Sequence, residues 1–238
     1  MRNEHILKVF LRKGRLCCFS LLMVLLLDNY MPAQAATIVI NEIFGDPAAG
    51  LAGDANGDGV RHSYNDEFVE IVNNSDGAID ISGWSLLDAT TMRHLFPSGT
   101  ALAPHTAIVI FGGGTPTGSF GGALVQTAST GSLLLNNDGD SVILNDGALT
   151  QAVVTFGVEI GADQSLTLEP DISGSAFVKH SLAAGSEGAL FSPGTMVDGD
   201  PFATPVPIPG AVLLLGSGLA VLFGARKKAR KQNCKTDR

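Results

Sequence analysis

Short apolar segments alternate with polar turns through the middle of the chain, from residue 36 to about residue 203. Two of these segments, residues 67–73 and 78–86, are joined by an Asn-Ser-Asp-Gly turn. Their β-branched and aromatic residues suit a buried pleated surface, and Asn, Asp and Gly are typical of tight turns. No amphipathic helical period occurs in this region. The pattern therefore predicts an all-β domain.

Further strands are expected at a spacing of about ten residues, separated by Gly, Asn and Asp. They are residues 37–43, 107–111, 133–135, 142–144, 149–156 and 165–170.

Two successive hairpins are expected in this series, because Asp-Gly turns between apolar runs favour hairpins. The first joins residues 133–135 to 142–144, and the second joins residues 142–144 to 149–156. Residues 90–104 show no strand pattern and are predicted to be irregular.

The fold predicted from this arrangement is a single Ig-like antiparallel β-sandwich over residues 36–203. Six side chains are expected in its core: Phe68, Ile71, Ile81, Trp84, Val109 and Ile143.

Three motifs follow one another in the first half of the domain. They are Val39-Ile40-Asn41-Glu42-Ile43, Asp66-Glu67-Phe68-Val69-Glu70 and Ile81-Ser82-Gly83-Trp84-Ser85-Leu86. Their order and spacing resemble the bacterial lamin-tail domain. A closing stretch with Phe177, His180 and Phe191-Ser192-Pro193-Gly194-Thr195 is also similar to that family. The resemblance implies an Ig-like fold over residues 37–202.

The N-terminal 35 residues have the composition of a secretory signal peptide. Basic residues precede an apolar run at residues 16–27, and Ala33-Gln34-Ala35 supplies small residues for cleavage. A transmembrane anchor is the alternative, but the run is shorter than the ~20 residues that a spanning helix needs.

The C-terminal end predicts a second membrane segment. Residues 204–210 are rich in proline, residues 211–225 carry no charge, and residues 226–238 hold seven basic residues against one acidic residue. A basic cluster beside an apolar segment indicates a transmembrane helix with its tail in the cytoplasm.

This end also resembles the PEP-CTERM sorting signal, through Val206, Pro207, Ile208 and Pro209. Ile208 stands where the name-giving pattern has Glu. The resemblance implies an exosortase-like sorting protease that cleaves near the motif.

Charge narrows the range of partners. Residues 36–205 contain 20 acidic residues and three basic ones, a formal net charge of −17. Such a surface repels phosphate backbones, so we expect no nucleic acid partner. Cysteine is absent from this region, so core packing must hold it together without disulfides.

The acidic stretch after residue 53 matches the first half of a calcium loop. Oxygen-bearing residues alternate there, a glycine follows at the sixth position, and calcium is the cofactor that this pattern predicts. Asn65 stands where a bidentate Glu is expected, and a polar surface turn is the alternative interpretation. The predicted ligands are Asp54, Asn56, Asp58, the Val60 carbonyl and Asp66.

Catalytic motifs are not evident. The histidines of residues 36–203 form no HxH or HExxH pair, and no GxSxG sequence occurs. We therefore predict that the protein is not an enzyme. The competing interpretation is a small secreted hydrolase that uses His62 or His180 with nearby carboxylates.

The function expected from the sequence is an exported, non-catalytic binding or structural module. Its partner is expected to be a matrix polysaccharide or another surface protein. The precursor is expected in the inner membrane with a periplasmic domain, and the processed form at the cell surface or in the extracellular matrix.

Overall fold

A computed structural model describes residues 37–202 of the 238-residue chain. Four segments predicted above lie outside the described residues: 1–35, 204–210, 211–225 and 226–238. Within the described range, no helix is both long enough and apolar enough to cross a membrane.

The described chain is all-β, with twelve strands and four short 3₁₀ helices. The strands are β1 (Ile38–Phe44), β2 (Phe68–Asn73), β3 (Ile79–Asp80), β4 (Ser85–Leu87), β5 (Met92–Leu95), β6 (Ala101–Leu102), β7 (Ala107–Phe111), β8 (Leu124–Thr127), β9 (Asp140–Asn145), β10 (Thr150–Phe156), β11 (Leu166–Glu169) and β12 (Ala176–Lys179). The 3₁₀ helices are Gly50–Gly53, Phe120–Gly122, Val158–Ile160 and His180–Leu182.

Two larger sheets and one small sheet are formed. The larger sheets have the strand orders β12-β11-β1-β2-β7-β8 and β10-β9-β4-β5, and β3 pairs with β6. Pairing is antiparallel, except that β7 and β8 run parallel. The predicted all-β fold with antiparallel sheets is confirmed, and the parallel pair is a departure from the fully antiparallel sandwich.

The main core lies between the two larger sheets. Ile71 on β2 and Ile108 on β7 join Val142 and Leu144 on β9 in one buried cluster. Alternate residues of a strand point to opposite faces, so these positions define the inner face of each sheet. Burial of this inner face is the principal apolar contribution to stability.

A second, smaller cluster covers the other face of the six-stranded sheet. Phe44, Phe68, Val109 and Phe111 are fully buried there, with Phe191 packed against them. Both faces of this sheet are therefore covered, which explains why its strands are apolar on both sides. Phe68 and Val109 are buried as predicted, in this second cluster.

Two of the expected core residues occupy other positions. Ile143 points to the outer face of the four-stranded sheet, because its neighbours Val142 and Leu144 point inward. Trp84 is half-buried and packs against the edge of the main core. Both assignments to the core interior were therefore wrong.

Several predicted elements also differ. Residues 133–135 form no strand, although Leu133 and Leu135 are buried, so the first predicted hairpin is absent. The expected strand at 78–86 is two strands in different sheets, β3 and β4. Residues 90–104, expected to be irregular, contain β5 and β6.

Candidate functional site

The outer face of the six-stranded sheet carries polar residues that are completely buried. Asn41 and Glu42 lie on β1 and Glu70 lies on β2, and none of the three has exposed surface. The chain after residue 164, called here the C-terminal segment (residues 165–202), covers them through hydrogen bonds. This arrangement forms one of three candidate sites.

Glu42 is held by two serines of the C-terminal segment. Its Oε1 accepts hydrogen bonds from the Ser165 hydroxyl (2.5 Å) and the Ser192 amide (3.0 Å). Its Oε2 accepts one from the Ser192 hydroxyl (2.9 Å). Burial raises the pKa of Glu42, while the nearby His180 acts in the opposite direction.

Glu70 is the second buried carboxyl of this network. It accepts hydrogen bonds from the Asn41 amide group (3.0 Å) and the Gly194 backbone N–H (2.6 Å). Burial, followed by the charge of Glu42, raises the pKa of Glu70 well above its ordinary value. Two carboxyls enclosed together resist double ionisation, which acts in the same direction as their burial.

His180, one of the two proposed catalytic histidines, belongs to the same network and is fully buried. Its Nε2 lies 2.9 Å from the Ser192 hydroxyl, and its Nδ1 lies 2.9 Å from the Ala189 carbonyl oxygen. In a serine–histidine–carboxylate triad the carboxylate contacts the histidine, and the serine hydroxyl is bonded to the ring. Here the Ser192 hydroxyl also donates to Glu42, which competes with His180 for that proton.

His62 is exposed and lies in the loop at residues 54–66, called here the acidic loop. Its Nδ1 accepts backbone N–H groups from Tyr64 (3.2 Å) and Asn65 (3.3 Å). The ring therefore stabilises a turn of this loop.

The second candidate site is the acidic loop itself, which Asp66 stabilises through hydrogen bonds to its backbone. Asp66 has no exposed surface, and its carboxylate accepts the backbone N–H groups of Asn56 (3.1 Å) and His62 (2.6 Å). Burial is the main cause that raises the pKa of Asp66, and the charges of Asp54 and Asp58 add to it.

The other predicted calcium ligands also take part in turn hydrogen bonds. The Asp58 carboxylate accepts a hydrogen bond from the backbone N–H of Val60 (2.9 Å). The side-chain oxygen of Asn56 accepts one from the backbone N–H of Asp58 (2.9 Å). Asp54 Oδ2 accepts the Gly59 N–H (2.9 Å), whereas Asp54 Oδ1 is buried without a hydrogen-bond partner.

Residues 37–202 contain no group of three or more His, Cys, Asp or Glu side chains that is arranged to hold a metal. The predicted calcium set also depends on an amide oxygen and a backbone carbonyl, so calcium binding stays a prediction.

Glycines at the end of β7 allow the acidic loop to pack against the sheet. A Cβ at Gly112 would overlap the Tyr64 carbonyl, and one at Gly114, where φ is +75°, would overlap Asn56. Only a residue without a side chain permits this approach. The Asn56 side-chain amide donates to the Gly113 carbonyl (3.3 Å), which fixes the contact.

The third candidate site is a polar pocket of about 650 Å³ at one end of the four-stranded sheet. Residues of the β4–β5 turn, the chain before β9 and the end of β10 line it. Those used below are Asp88, Arg93, Asp138, Asp140, Ser141 and Thr155.

Charge-assisted hydrogen bonds fix the walls of this pocket. Arg93 forms an ion pair with the buried Asp88, at 2.5 Å between Nη2 and Oδ2. Asp140 accepts the backbone N–H groups of Ala89 (3.1 Å) and Asn136 (3.2 Å), which ties the two lining turns together. Sequence reasoning missed this pocket, because its wall from residue 133 to 139 was expected to be part of a simple hairpin.

A buried acid lies close to the pocket. Glu67 accepts the Leu135 backbone N–H (3.4 Å), and burial raises its pKa to about 8. The charges of Arg93 and Asp140, which line the pocket, also influence Glu67.

The Lamin Tail Domain family model matches residues 31–158, more than half of the chain. The chain belongs to the lamin tail domain family. This family is a non-enzymatic, Ig-like binding or structural domain, in agreement with the observed fold. No curated protein matches the sequence significantly.

The fold of this lamin tail domain extends past the matched region. β11 pairs with β1, and Ser165, Ser192 and Gly194 supply hydrogen bonds to the buried glutamates of β1 and β2. Residues 159–202 are therefore needed to complete the six-stranded sheet and its polar cover.

Proposed function

We propose that this protein is an exported lamin tail domain module without catalytic activity, which binds a partner outside the cytoplasm. Membership of a non-enzymatic family is the observation that supports the proposed absence of catalytic activity. The net charge of −17 over residues 36–205 disfavours nucleic acid as that partner.

The two ends of the sequence support export and sorting. A signal peptide at residues 1–35 directs the domain across the inner membrane, and residues 211–225 hold the precursor there. Cleavage near Pro207 by an exosortase-like protease then releases the domain to the cell surface or matrix. The ligand is a matrix polysaccharide or another surface protein.

Mass spectrometry of the intact protein from membrane and extracellular fractions tests this processing. We expect the membrane form to begin near Ala36 and to retain Arg238, and the released form to end near Pro207. A released form that still carries Arg238 would contradict the processing step.

Calcium is proposed as a ligand of the acidic loop. The buried Asp54 Oδ1 lacks a hydrogen-bond donor, and two neighbouring acids raise the pKa of Asp66 in addition to its burial. An extracellular site of this type binds with a Kd on the order of 10⁻⁴ to 10⁻³ M. Thermal melts in millimolar calcium and in chelator test it: calcium is expected to raise the Tm, and to do so less in Asp54→Asn.

Asp163→Asn provides a control that removes one exposed charge outside the loop. Equal Tm values in calcium and in chelator would mean that the acidic loop is a polar surface turn that binds no calcium.

A hydrolase remains the second candidate, and the Ser192–His180 contact of 2.9 Å is the observation that favours it. The complete burial of His180 and Glu42 opposes it. Hydrolysis of p-nitrophenyl acetate by the wild type and by Ser192→Ala separates the two functions. The proposed function predicts equal background rates, whereas a rate lost in the variant would favour the hydrolase.

A further inference from the structure

The outer face of the four-stranded sheet carries a continuous aliphatic row. Val153 on β10 is paired with Ile143 on β9, which is paired with Leu87 on β4. Leu87 is paired in turn with Met92 on β5. Directly paired residues of neighbouring strands share one face of a sheet. These four residues, called here the aliphatic row, therefore cross all four strands.

The aliphatic row is open to solvent. Val153 is 58% exposed and Met92 is 39% exposed, while Ile143 and Leu87 are half-buried. Aliphatic side chains that line up on an exposed sheet face are typical of an interaction surface.

The polar pocket lies directly beside this row. Ser141 and Thr155 form the next cross-strand pair on the same face, two residues from Ile143 and Val153. Their hydroxyls lie 2.8 Å apart, and both residues line the pocket. The row and the pocket thus form one surface, called here the docking face.

The charge of the pocket indicates which partner fits. Its lining contains three aspartates and one arginine, and that arginine is paired with Asp88. Asp138 is exposed at the pocket. This excess of negative charge favours a cationic group and disfavours an anionic one.

Two other occupants fit less well. A second copy of this chain would bring an equally acidic domain, with a net charge of −17, against the pocket. A sugar ring would find no aromatic side chain in the aliphatic row, and the pocket's Phe156 is buried in the main core.

We propose that the docking face binds a segment of another protein. The partner lays aliphatic side chains along the row and inserts a lysine or arginine side chain into the pocket beside Asp138. This inference rests on the proposed function and deepens it, because it selects a protein as the partner.

Selection of random dodecapeptides displayed on phage against the purified full-length chain is the test. We expect the selected peptides to be enriched in lysine or arginine next to aliphatic residues. Their affinity should fall about fivefold for Asp138→Asn and for Val153→Ser, because each variant removes one half of the docking face.

Two matched controls keep this test specific. Asp198→Asn removes an equal charge, and Leu182→Ser removes an aliphatic side chain that is even more exposed than Val153 (76% against 58%), both from the C-terminal segment. Binding should be unchanged in both. Equal losses in the controls, or selected peptides without basic residues, would overturn the proposal.

The alternative occupants have their own readouts. Retardation of the chain in a dextran gel that Val153→Ser abolishes would overturn the proposal in favour of a polysaccharide. A dimer in sedimentation velocity that Val153→Ser abolishes would overturn it in favour of a second copy. Both outcomes are independent of the cleavage near Pro207, so they do not affect the processing step.

Discussion

The outer faces of the two larger sheets differ in chemistry and in exposure. The face of the six-stranded sheet carries Glu42 and Glu70, yet both are completely buried beneath the C-terminal segment. The face of the four-stranded sheet carries Val153 and Met92, yet both are exposed. Glutamates are therefore buried where the C-terminal segment covers a sheet, and aliphatic side chains are exposed on a face that the described residues leave open.

This difference separates structural from functional surface. Buried carboxyls need hydrogen-bond donors, and Glu42 accepts three hydrogen bonds. An open aliphatic face has no such requirement and is available to a partner.

The largest effect is expected from Glu42→Ala. It removes the fully buried carboxylate that accepts hydrogen bonds from the hydroxyls of Ser165 and Ser192, so the free energy of unfolding should fall by about 3–5 kcal/mol. Urea denaturation followed by Trp84 fluorescence measures the change. Glu42→Gln, which keeps one acceptor oxygen and the shape, should lose much less. Equal losses in both variants would show that the hydrogen bonds do not stabilise the cover.

The dependence of stability on pH is the second expected effect. Burial raises the pKa of Glu67 to about 8 in the folded state, against 4.5 for the unfolded chain. The folded state therefore binds the proton more tightly, and this stabilisation is lost as the pH rises from 4.5 towards 8. Glu42 and Glu70 have raised pKa values and act in the same direction.

Thermal melts at pH 5.5 and pH 8 check this expectation. The Tm of the wild type should be lower at pH 8, and Glu67→Gln should reduce the difference because it cannot ionise. A wild-type Tm that rises between these pH values would contradict the assigned protonation.

A smaller loss of stability is expected from alanine substitutions on the four-stranded sheet, and its size should differ between the inner and outer faces. Val142→Ala removes two methyl groups from the main core and should cost about 2 kcal/mol, from transfer and cavity terms. Val153→Ala makes the same change at an exposed position and should cost less than about 0.5 kcal/mol. Equal losses in urea denaturation would mean that Val153 is covered.

Periodicity predicted most of the fold, because strands such as β1, β2 and β7 are apolar over their whole length. It failed at residues 133–135, where Leu133 and Leu135 are buried by tertiary packing without strand pairing. Apolar residues alone do not reveal whether a segment has a hydrogen-bonding neighbour.

The candidate sites were less predictable. Acidic residues of the loop at residues 54–66 are adjacent in sequence, so their proximity was foreseen. Glu42 and Ser192 are 150 residues apart. Their contact depends on the pairing of β11 with β1 and on the Ser165 N–H, which donates to the Leu190 carbonyl (2.9 Å). The sequence also did not reveal that Ile143 points to the outer face of the four-stranded sheet, because residues 142–144 are all aliphatic.

Carboxyl footprinting tests the central difference between the two outer faces most directly. The native protein is treated with a carbodiimide and glycine ethyl ester, and labelled peptides are quantified by mass spectrometry. We predict that Glu42 and Glu70 stay unlabelled while Asp138 and Asp198 react readily. Labelling of Glu42 and Glu70 at the rate of Asp138 in the folded protein would contradict the buried polar cover.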